Sequence, residues 1–476
     1  MKTILLFLSL VISASLFAQN VNIPDANFKD RLVLNSLINT NGDTEIQVSE
    51  ATAFAGSIFC NWCEISNLTG IEAFTSVTDL QFRGNQLTNL DISSNTALTY
   101  FDCRENLLTS LDLSANTALT TLLCLDNQIT SLDVSANTAL SGLFCDGNQI
   151  TSLDVSANNA LTSLTCSNNL LTSLDVSANN ALSGLECNSN QLTSLNLSAA
   201  NALNYLNCSF NNLTSLDVSQ LENLSNLDCY NNQITYLDVS QNEGLLFLSC
   251  TNNELDTLIM PEASQNFREL EASNNNLTHL EMTNYALIAW IGAENNQLNS
   301  VDLSGSTVQF LVSFNNNLIT EINLDGSDLT YLLLENNQLS FLDLSGLSNL
   351  SFFSTIGNPD LGCIKINQNQ LENNPVGPDS DSWTVDATTN YALECSNVSL
   401  NQANQNVCKL YPNPAHEQLH ISGIDPETNL TVYDFTGKAL IEKTLKDDSQ
   451  INISILEPGI YLLTIEGIGT KIFRKK

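Results

Sequence analysis

Basic residues are scarce in this chain. Fifteen Lys and Arg stand against 51 Asp and Glu in 476 residues, a formal net charge of -36. Such a chain repels nucleic-acid phosphates and anionic membrane surfaces, which argues against generic electrostatic binding to either. Charge of any sign is also sparse, at 14% of residues, while hydrophobic residues reach 43%. That composition excludes a solvated acidic tail and leaves most of the polar surface uncharged. Histidine is nearly absent, at three residues. No Ser or Cys triad can be assembled on His279 from motif evidence, and no phosphate loop occurs. Beyond the first twenty residues no apolar run is long enough for a membrane-spanning helix.

Residues 1–18 read as a secretory signal peptide. Lys2 supplies the charged start, Ile4 to Ile12 the apolar stretch, and Ser15-Leu16-Phe17-Ala18 the small-residue cleavage site. An exported protein without a helical anchor is expected.

What the chain has in abundance is repetition. Leu119-x-x-Leu122-x-Cys124-x-x-Asn127-x-Ile129 recurs as Leu140-x-x-Leu143-x-Cys145-x-x-Asn148-x-Ile150, each followed by T-S-L-D-V-S-A-N. Fourteen anchor asparagines run from Asn85 to Asn358 at intervals of 20 to 22 residues, mostly 21. Leu122 and Cys124 alternate with period two, so they share the inner face of a short strand. Asn127 can bond backbone groups of neighbouring turns, and its stacking predicts a ladder. Leu132 and Val134 point inward on the return leg, which is too short for an α-helix. A partial unit precedes the first full one, with Ile58, Cys60, Cys63, Ile65 and Leu68 on the template positions.

The pattern resembles a leucine-rich repeat over 77–358. The resemblance implies an α/β-class solenoid, mainly β: a right-handed superhelix with a parallel concave sheet and short extended or 3₁₀ convex segments. Cys103, Cys124, Cys145, Cys166, Cys187, Cys208, Cys229 and Cys250 lie 21 apart. Such a cysteine ladder resembles the internalin J type of bacterial surface adhesin. Export would suggest disulfides. However, in-register neighbours on parallel strands have parallel Cβ vectors that do not converge, so free core thiols are expected. Cys60-x-x-Cys63 sits on repeat positions and has no partner pair for zinc. Cys363 and Cys395 lie outside the column at the end of the solenoid, where a capping disulfide is expected, leaving Cys408 over.

Residues 19–76 form an N-terminal cap, with a helix-start signal at Pro24-Asp25 before Ala26-Asn27-Phe28. Asn39 to Glu50 resembles an EF-hand calcium loop, with Asn39, Asn41, Asp43 and Glu50 as candidate ligands. It departs from the pattern in Asn39 at position 1 and Thr44 at position 6. A helix–loop–helix cap held by side-chain hydrogen bonds is the other reading. Residues 359–400 form the C-terminal cap and linker.

Residues 408–476 hold eight of the fifteen basic residues and read as short strands broken by Gly437, Gly459 and Gly467, a small β-sandwich. Leu410-Tyr411-Pro412-Asn413-Pro414, Val432-Tyr433-Asp434-Phe435-Thr436-Gly437-Lys438 and Leu456-Glu457-Pro458-Gly459-Ile460-Tyr461 come in order before a basic end. Together they resemble the C-terminal sorting domain of type IX secretion. That resemblance implies export across the outer membrane by that machinery, with the domain removed and the passenger released or linked to surface lipopolysaccharide. His416-Glu417-Gln418-Leu419-His420 satisfies the zinc-protease pattern H-E-x-x-H. That chemistry needs a helix to bring both imidazoles together, and here a strand is expected. No enzyme is predicted.

Two outward columns remain. The concave one gathers Tyr205, Phe247, Trp290, Leu311, Tyr331 and Phe352 toward the C-terminal end. An aromatic stripe marks either recognition of a protein or glycan ligand, or contact with the solenoid end or the cap. The convex one is Asp91, Asp112, Asp133, Asp154, Asp175, Asn196, Asp217 and Asp238, which either bonds adjacent turn amides or collects cations. The sequence therefore points to a secreted or surface-attached binding protein, monomeric, an adhesin or ligand receptor. The alternative is a structural spacer or surface-layer component without a specific ligand.

Overall fold

The computed structural model describes residues 19–262, 264–373, 383–395, 409–411, 415–422, 428–434, 438–445, 450–465 and 469–476. The apolar leader and Cys408 lie outside the described residues. The chain divides into two compact units, one ending at Ala200 and the other beginning at Asn201.

The first unit starts with a helix over Ala26–Val33 that buries Phe28 and Leu32. Asp25 caps it, accepting the Phe28 N–H at 3.1 Å. Its other oxygen accepts the N–H groups of Ser66 and Asn67 at 2.9 and 3.1 Å, which fastens the cap to the first coil. A second helix, Val48–Ala53, opens with a reciprocal capping box between Gln47 and Glu50.

Three-residue strands follow at Ser57–Phe59, Asp79–Gln81, Tyr100–Asp102, Thr121–Leu123, Gly142–Phe144, Ser163–Thr165 and Gly184–Glu186. They pair in parallel with no slip in register. The partial unit at Ile58 is thus a genuine coil of the ladder. The middle residue of each strand, from Ile58 to Leu185, is buried, and its two neighbours face the other way. One register step would bring the polar flanks inside, so the pattern fixes the pairing.

The turn after each strand explains the anchors. The residue before each anchor asparagine has a positive φ, between 52° and 57° at Glu105, Asp126, Asn168 and Ser189. A left-handed non-glycine residue costs about 1 kcal/mol. The anchor offsets that cost with side-chain hydrogen bonds to the backbone, four at Asn127, one of them to the Leu125 carbonyl at 3.1 Å. Asn127 Nδ2 donates to the Cys103 carbonyl at 3.0 Å and the Cys124 carbonyl at 3.2 Å, and its Oδ1 accepts the Leu108 N–H at 3.0 Å. Backbone groups that leave the sheet are thereby satisfied inside the coil.

A second ladder runs on the convex side through Asn95, Asn116, Asn137, Asn158 and Asn179, all fully buried. Asn137 Nδ2 donates to the carbonyls of Leu113 and Asn116 at 3.0 and 2.9 Å. No α-helix forms on this side of the repeats. The segments are extended, as in the parallel pair Ser173–Asp175 with Ser194–Asn196, and a 3₁₀ turn occurs at Ile71–Ala73.

The second unit continues the same build. Its ladder joins Tyr205–Asn207, Asn226–Asp228, Phe247–Ser249, Glu269–Glu271, Ile288–Gly292, Val308–Ser313, Tyr331–Leu333, Phe352–Ser354 and Trp383–Thr384. The end of the solenoid is closed by Trp383, whose ring lies 4.7 Å from that of Phe353. A disulfide joins Cys363 to Cys395 with Cα atoms 5.9 Å apart. The described residues between 409 and 476 form two antiparallel sheets of three and four strands. Leu419, Ile421 and Ile451 of the smaller sheet share one core with Leu430, Val432, Leu463 and Phe473 of the larger. The architecture is the expected mainly-β solenoid, of about 15 turns, with small C-terminal antiparallel sheets.

Candidate functional site: the concave face of the second unit

The concave column is continuous. Tyr205, Asn226, Phe247, Glu269, Trp290, Leu311, Tyr331 and Phe352 are successive register partners across the sheet. Their side chains point outward because the next residue of each strand points into the coil. Most of this stripe is closed off from solvent. Trp290 is 5% exposed, Tyr331 2% and Leu311 fully buried, whereas Tyr205 and Phe352 are half-buried.

The cover comes from three strands near the end of the chain, Asn429–Tyr433, Gly459–Ile465 and Gly469–Lys475. Strands Asn429–Tyr433 and Gly459–Ile465 pair antiparallel, with Tyr433 opposite Leu462. Val432 and Leu463 face the core of that domain. Leu462 and Tyr433 face the other way and join Trp290, Leu311, Tyr331, Leu333, Phe310 and Phe352 in one apolar cluster. The Tyr331 ring packs edge-on against Phe310 at 5.5 Å.

Beside the apolar cluster lies an acidic file. Asp228, Glu271 and Glu294 belong to outward columns two and four residues along from the aromatic one. The last strand, Gly469–Lys475, brings cations to them. Lys471 Nζ stands 3.9 Å from Glu294, with both side chains nearly sealed from solvent. The Arg474 guanidinium lies 5.0 Å from the Phe247 ring centroid. Lys476 Nζ lies 5.8 Å from the Tyr230 ring and 3.4 Å from its hydroxyl, to which it donates. Burial pushes the Glu271 carboxyl up to about 7, against the pull of the Ser249 hydroxyl and the Arg474 charge. Burial also raises Asp228, while Lys476 and Arg474 draw it back.

Two polar atoms of this seat make no hydrogen bond: Trp290 Nε1 and Glu271 Oε1. Tyr230, Asp228, Glu271 and Glu294 were not singled out by sequence. They stand in two columns of mixed composition, which also hold Leu123, Phe144, Arg83 and Leu125, so no periodic signal set them apart.

The other sequence candidates fall elsewhere. In the Asn39–Glu50 loop the carboxylates are taken by N–H donors rather than converging on a centre. Glu50 Oε1 accepts the N–H groups of Thr40 and Asn41 at 2.8 and 3.2 Å, and Oε2 that of Gln47 at 3.0 Å. Asp43 accepts from Glu45 N at 2.7 Å and from the Asn41 and Gln47 amides at 3.0 Å. The Asn39 amide nitrogen donates to the carbonyls of Val33 and Asp43 at 3.0 and 2.8 Å. In this arrangement the donor set does not fit a cation.

The convex aspartates each receive the N–H of the serine two residues on, as Asp133 does from Ser135 at 2.9 Å. The same serines hold these carboxyls below the usual range. The eight column cysteines are buried free thiols, and burial pushes Cys124 and Cys208 up to about 12. His420 lies in strand Gln418–Ser422, whereas His416 sits in the exposed turn before it. The motif therefore lacks the helix that would put both rings on one face. Among the described residues no three His, Cys, Asp or Glu side chains group as a metal site. No helix among them is long and apolar enough to cross a membrane.

Comparison with known proteins agrees with this architecture. Residues 409–476 match the family described as secretion system C-terminal sorting domain. A search of curated proteins returns no significant match. Among solved structures, the chain is similar to the functional domain of InlJ from Listeria monocytogenes, which includes a cysteine ladder. That match has 26% identity and a TM-score of 0.47, covering 96% of this chain and 100% of that one. An internalin, InlF, from the same organism is similar at 20% identity and TM-score 0.51, covering 66% of this chain and 98% of that one. YopM from Yersinia enterocolitica is similar at 19% identity and TM-score 0.46, over 65% of this chain and 78% of that one. The chain is a leucine-rich repeat solenoid that ends in a type IX secretion sorting domain, a signal for export to the cell surface or the medium.

Proposed function

We propose that this exported solenoid is a binding protein, an adhesin or ligand receptor, and that it recognises its partner with the concave face of the second unit. The observation that carries this reading is the make-up of that face. Phe247, Trp290 and Tyr331 stand beside Glu271 and Glu294 on a rigid parallel sheet. Large rings that offer apolar area next to charge are the usual anchors of protein recognition. The face already grips Tyr433, Leu462 and Arg474 by such contacts.

The test is a protein and glycan array. The probe is the full chain carrying a protease site in segment 396–408, folded, cut and stripped of residues 409–476. Trp290→Ala with Tyr331→Ala should abolish capture of a partner and leave the thermal transition of the cut chain nearly unchanged. Capture that survives both substitutions refutes the site.

A further inference from the structure

The cations of this chain are few, yet three of them converge on one seat. Lys471, Arg474 and Lys476 come from the last eight residues and meet Glu294, Phe247 and Tyr230. Leu462 fills the apolar half of the seat between Trp290 and Tyr331. The occupant and the candidate binding face are therefore complementary in charge and in shape. The fit is also incomplete, because Trp290 Nε1 and Glu271 Oε1 are enclosed without a hydrogen-bond partner. A buried donor and a buried acceptor left unmade weaken an interface and leave room for a better occupant.

We propose that the sorting domain is an intramolecular mask on the recognition face, and that the ligand class which replaces it is a basic, extended protein segment. The second clause rests on the binding function proposed above. The mask holds chiefly through tethering. A short linker presents a domain at an effective concentration on the order of millimolar, so a micromolar ligand cannot displace it. Severing the tether removes that advantage. Once the severed domain begins to lift, its cations meet solvent, and salt then screens their return, because the Debye length falls from about 10 Å at 0.1 M to about 3 Å at 1 M. Export could in this way deliver a chain whose sticky face opens only when its C-terminal domain leaves.

The experiment starts from the folded full chain with the protease site in 396–408. The probe is a fluorescent peptide with the sequence of residues 469–476. Cut chain, freed of its C-terminal domain by gel filtration in 0.5 M NaCl, should bind the peptide at least about tenfold tighter than uncut chain. In a Trp62→Phe background, iodide should quench Trp290 fluorescence in the cut chain and not in the uncut one. Glu294→Gln in the cut chain, which removes the partner of Lys471, should lose most of the peptide binding. As a second route without cleavage, Arg474→Glu with Lys476→Glu in the full chain should open the seat to iodide.

Equal peptide binding before and after cutting overturns the mask. So does a C-terminal domain that stays bound through 0.5 M NaCl, or Trp290 equally quenched in both forms. A cut chain that ignores the peptide but keeps a Trp290-dependent array partner overturns the basic ligand class and leaves the binding function standing. Loss of both overturns both.

Discussion

The cysteine ladder offers the sharpest quantitative test. Its eight thiols are free and buried. Burial moves Cys124 and Cys208 from 9.0 to about 12. At pH 8 that change lowers the thiolate fraction about a thousandfold, and the thiolate is the species that alkylates. Cys63 is only half-buried and serves as an internal control. Iodoacetamide at pH 8, followed by mass spectrometry, should modify Cys63 while the ladder stays unmodified, and guanidinium should release all eight. The same shift makes the fold alkali-sensitive. A thiol whose folded pKa lies above its unfolded value contributes stability below pH 9, and that contribution fades as pH rises toward 12. At pH 10 each raised thiol costs about 1 kcal/mol, and the seven that burial raises together cost several kcal/mol, the scale of a domain's stability. Circular dichroism should therefore show cooperative unfolding near pH 10. Rapid native labelling of the ladder, failure to find free thiols in denaturant, or an intact spectrum at pH 10.5 refutes the reasoning.

Three further outcomes are expected. Asn137→Leu removes two donated bonds and leaves the carbonyls of Leu113 and Asn116 with one partner each, the N–H groups of Asn116 and Leu119. It should cost about 1–3 kcal/mol in urea unfolding, and a cost below about 0.5 kcal/mol would exclude the convex ladder as a structural element. Glu271, raised by burial to about 7 from 4.5, favours the folded state below pH 4.5 and loses that advantage as pH climbs through 7. Glu271→Gln should thus stabilise the full chain by up to about 3 kcal/mol at pH 8 and by nothing at pH 4, and a destabilised variant at pH 8 contradicts the assignment. Glu50→Ala removes the acceptor of the Thr40, Asn41 and Gln47 N–H groups and should cost about 1–2 kcal/mol. The melting temperature of the parent should be the same with calcium or chelator, and a calcium-dependent rise would show that the loop rearranges to bind the ion.

The repeat was legible because each coil meets a copy of itself. Leu122, Cys124 and Asn127 have the same neighbours one period away, so spacing alone gives burial, register and the anchor bonds. The convex ladder has the same period, yet it went unread. Asn137 looks like one more polar residue in a turn until the carbonyls 21 and 24 residues earlier are seen to lie within its reach. Side-chain type does not reveal such acceptors, because they are main-chain atoms of unremarkable residues. The loop at Asn39 kept two readings open, because the same residue types serve a cation or a hydrogen-bonded cap. Here Asp43 and Glu50 accept N–H groups, while Glu45 pairs with Lys29.

The concave seat was half legible for a different reason. A stripe of rings can be counted from sequence, but what covers it depends on contacts far along the chain. Lys476 reaches Tyr230 across a separation of 246 residues. No periodicity links those positions, since one belongs to a repeat and the other to a domain without repeats. Composition carried the missing hint. Eight of fifteen cations sit in residues 408–476, next to a solenoid nearly devoid of them. Like charges on a repeat array keep neighbouring molecules apart. They also leave the array's acidic face with few cations of its own, Arg268 being held by the carbonyls of Gln265, Phe267 and Leu287, so the same chain's basic end supplies counter-charge. The scarcity of Lys and Arg thus limits what can sit on this face. An occupant must bring its own positive charge, as the last strand does.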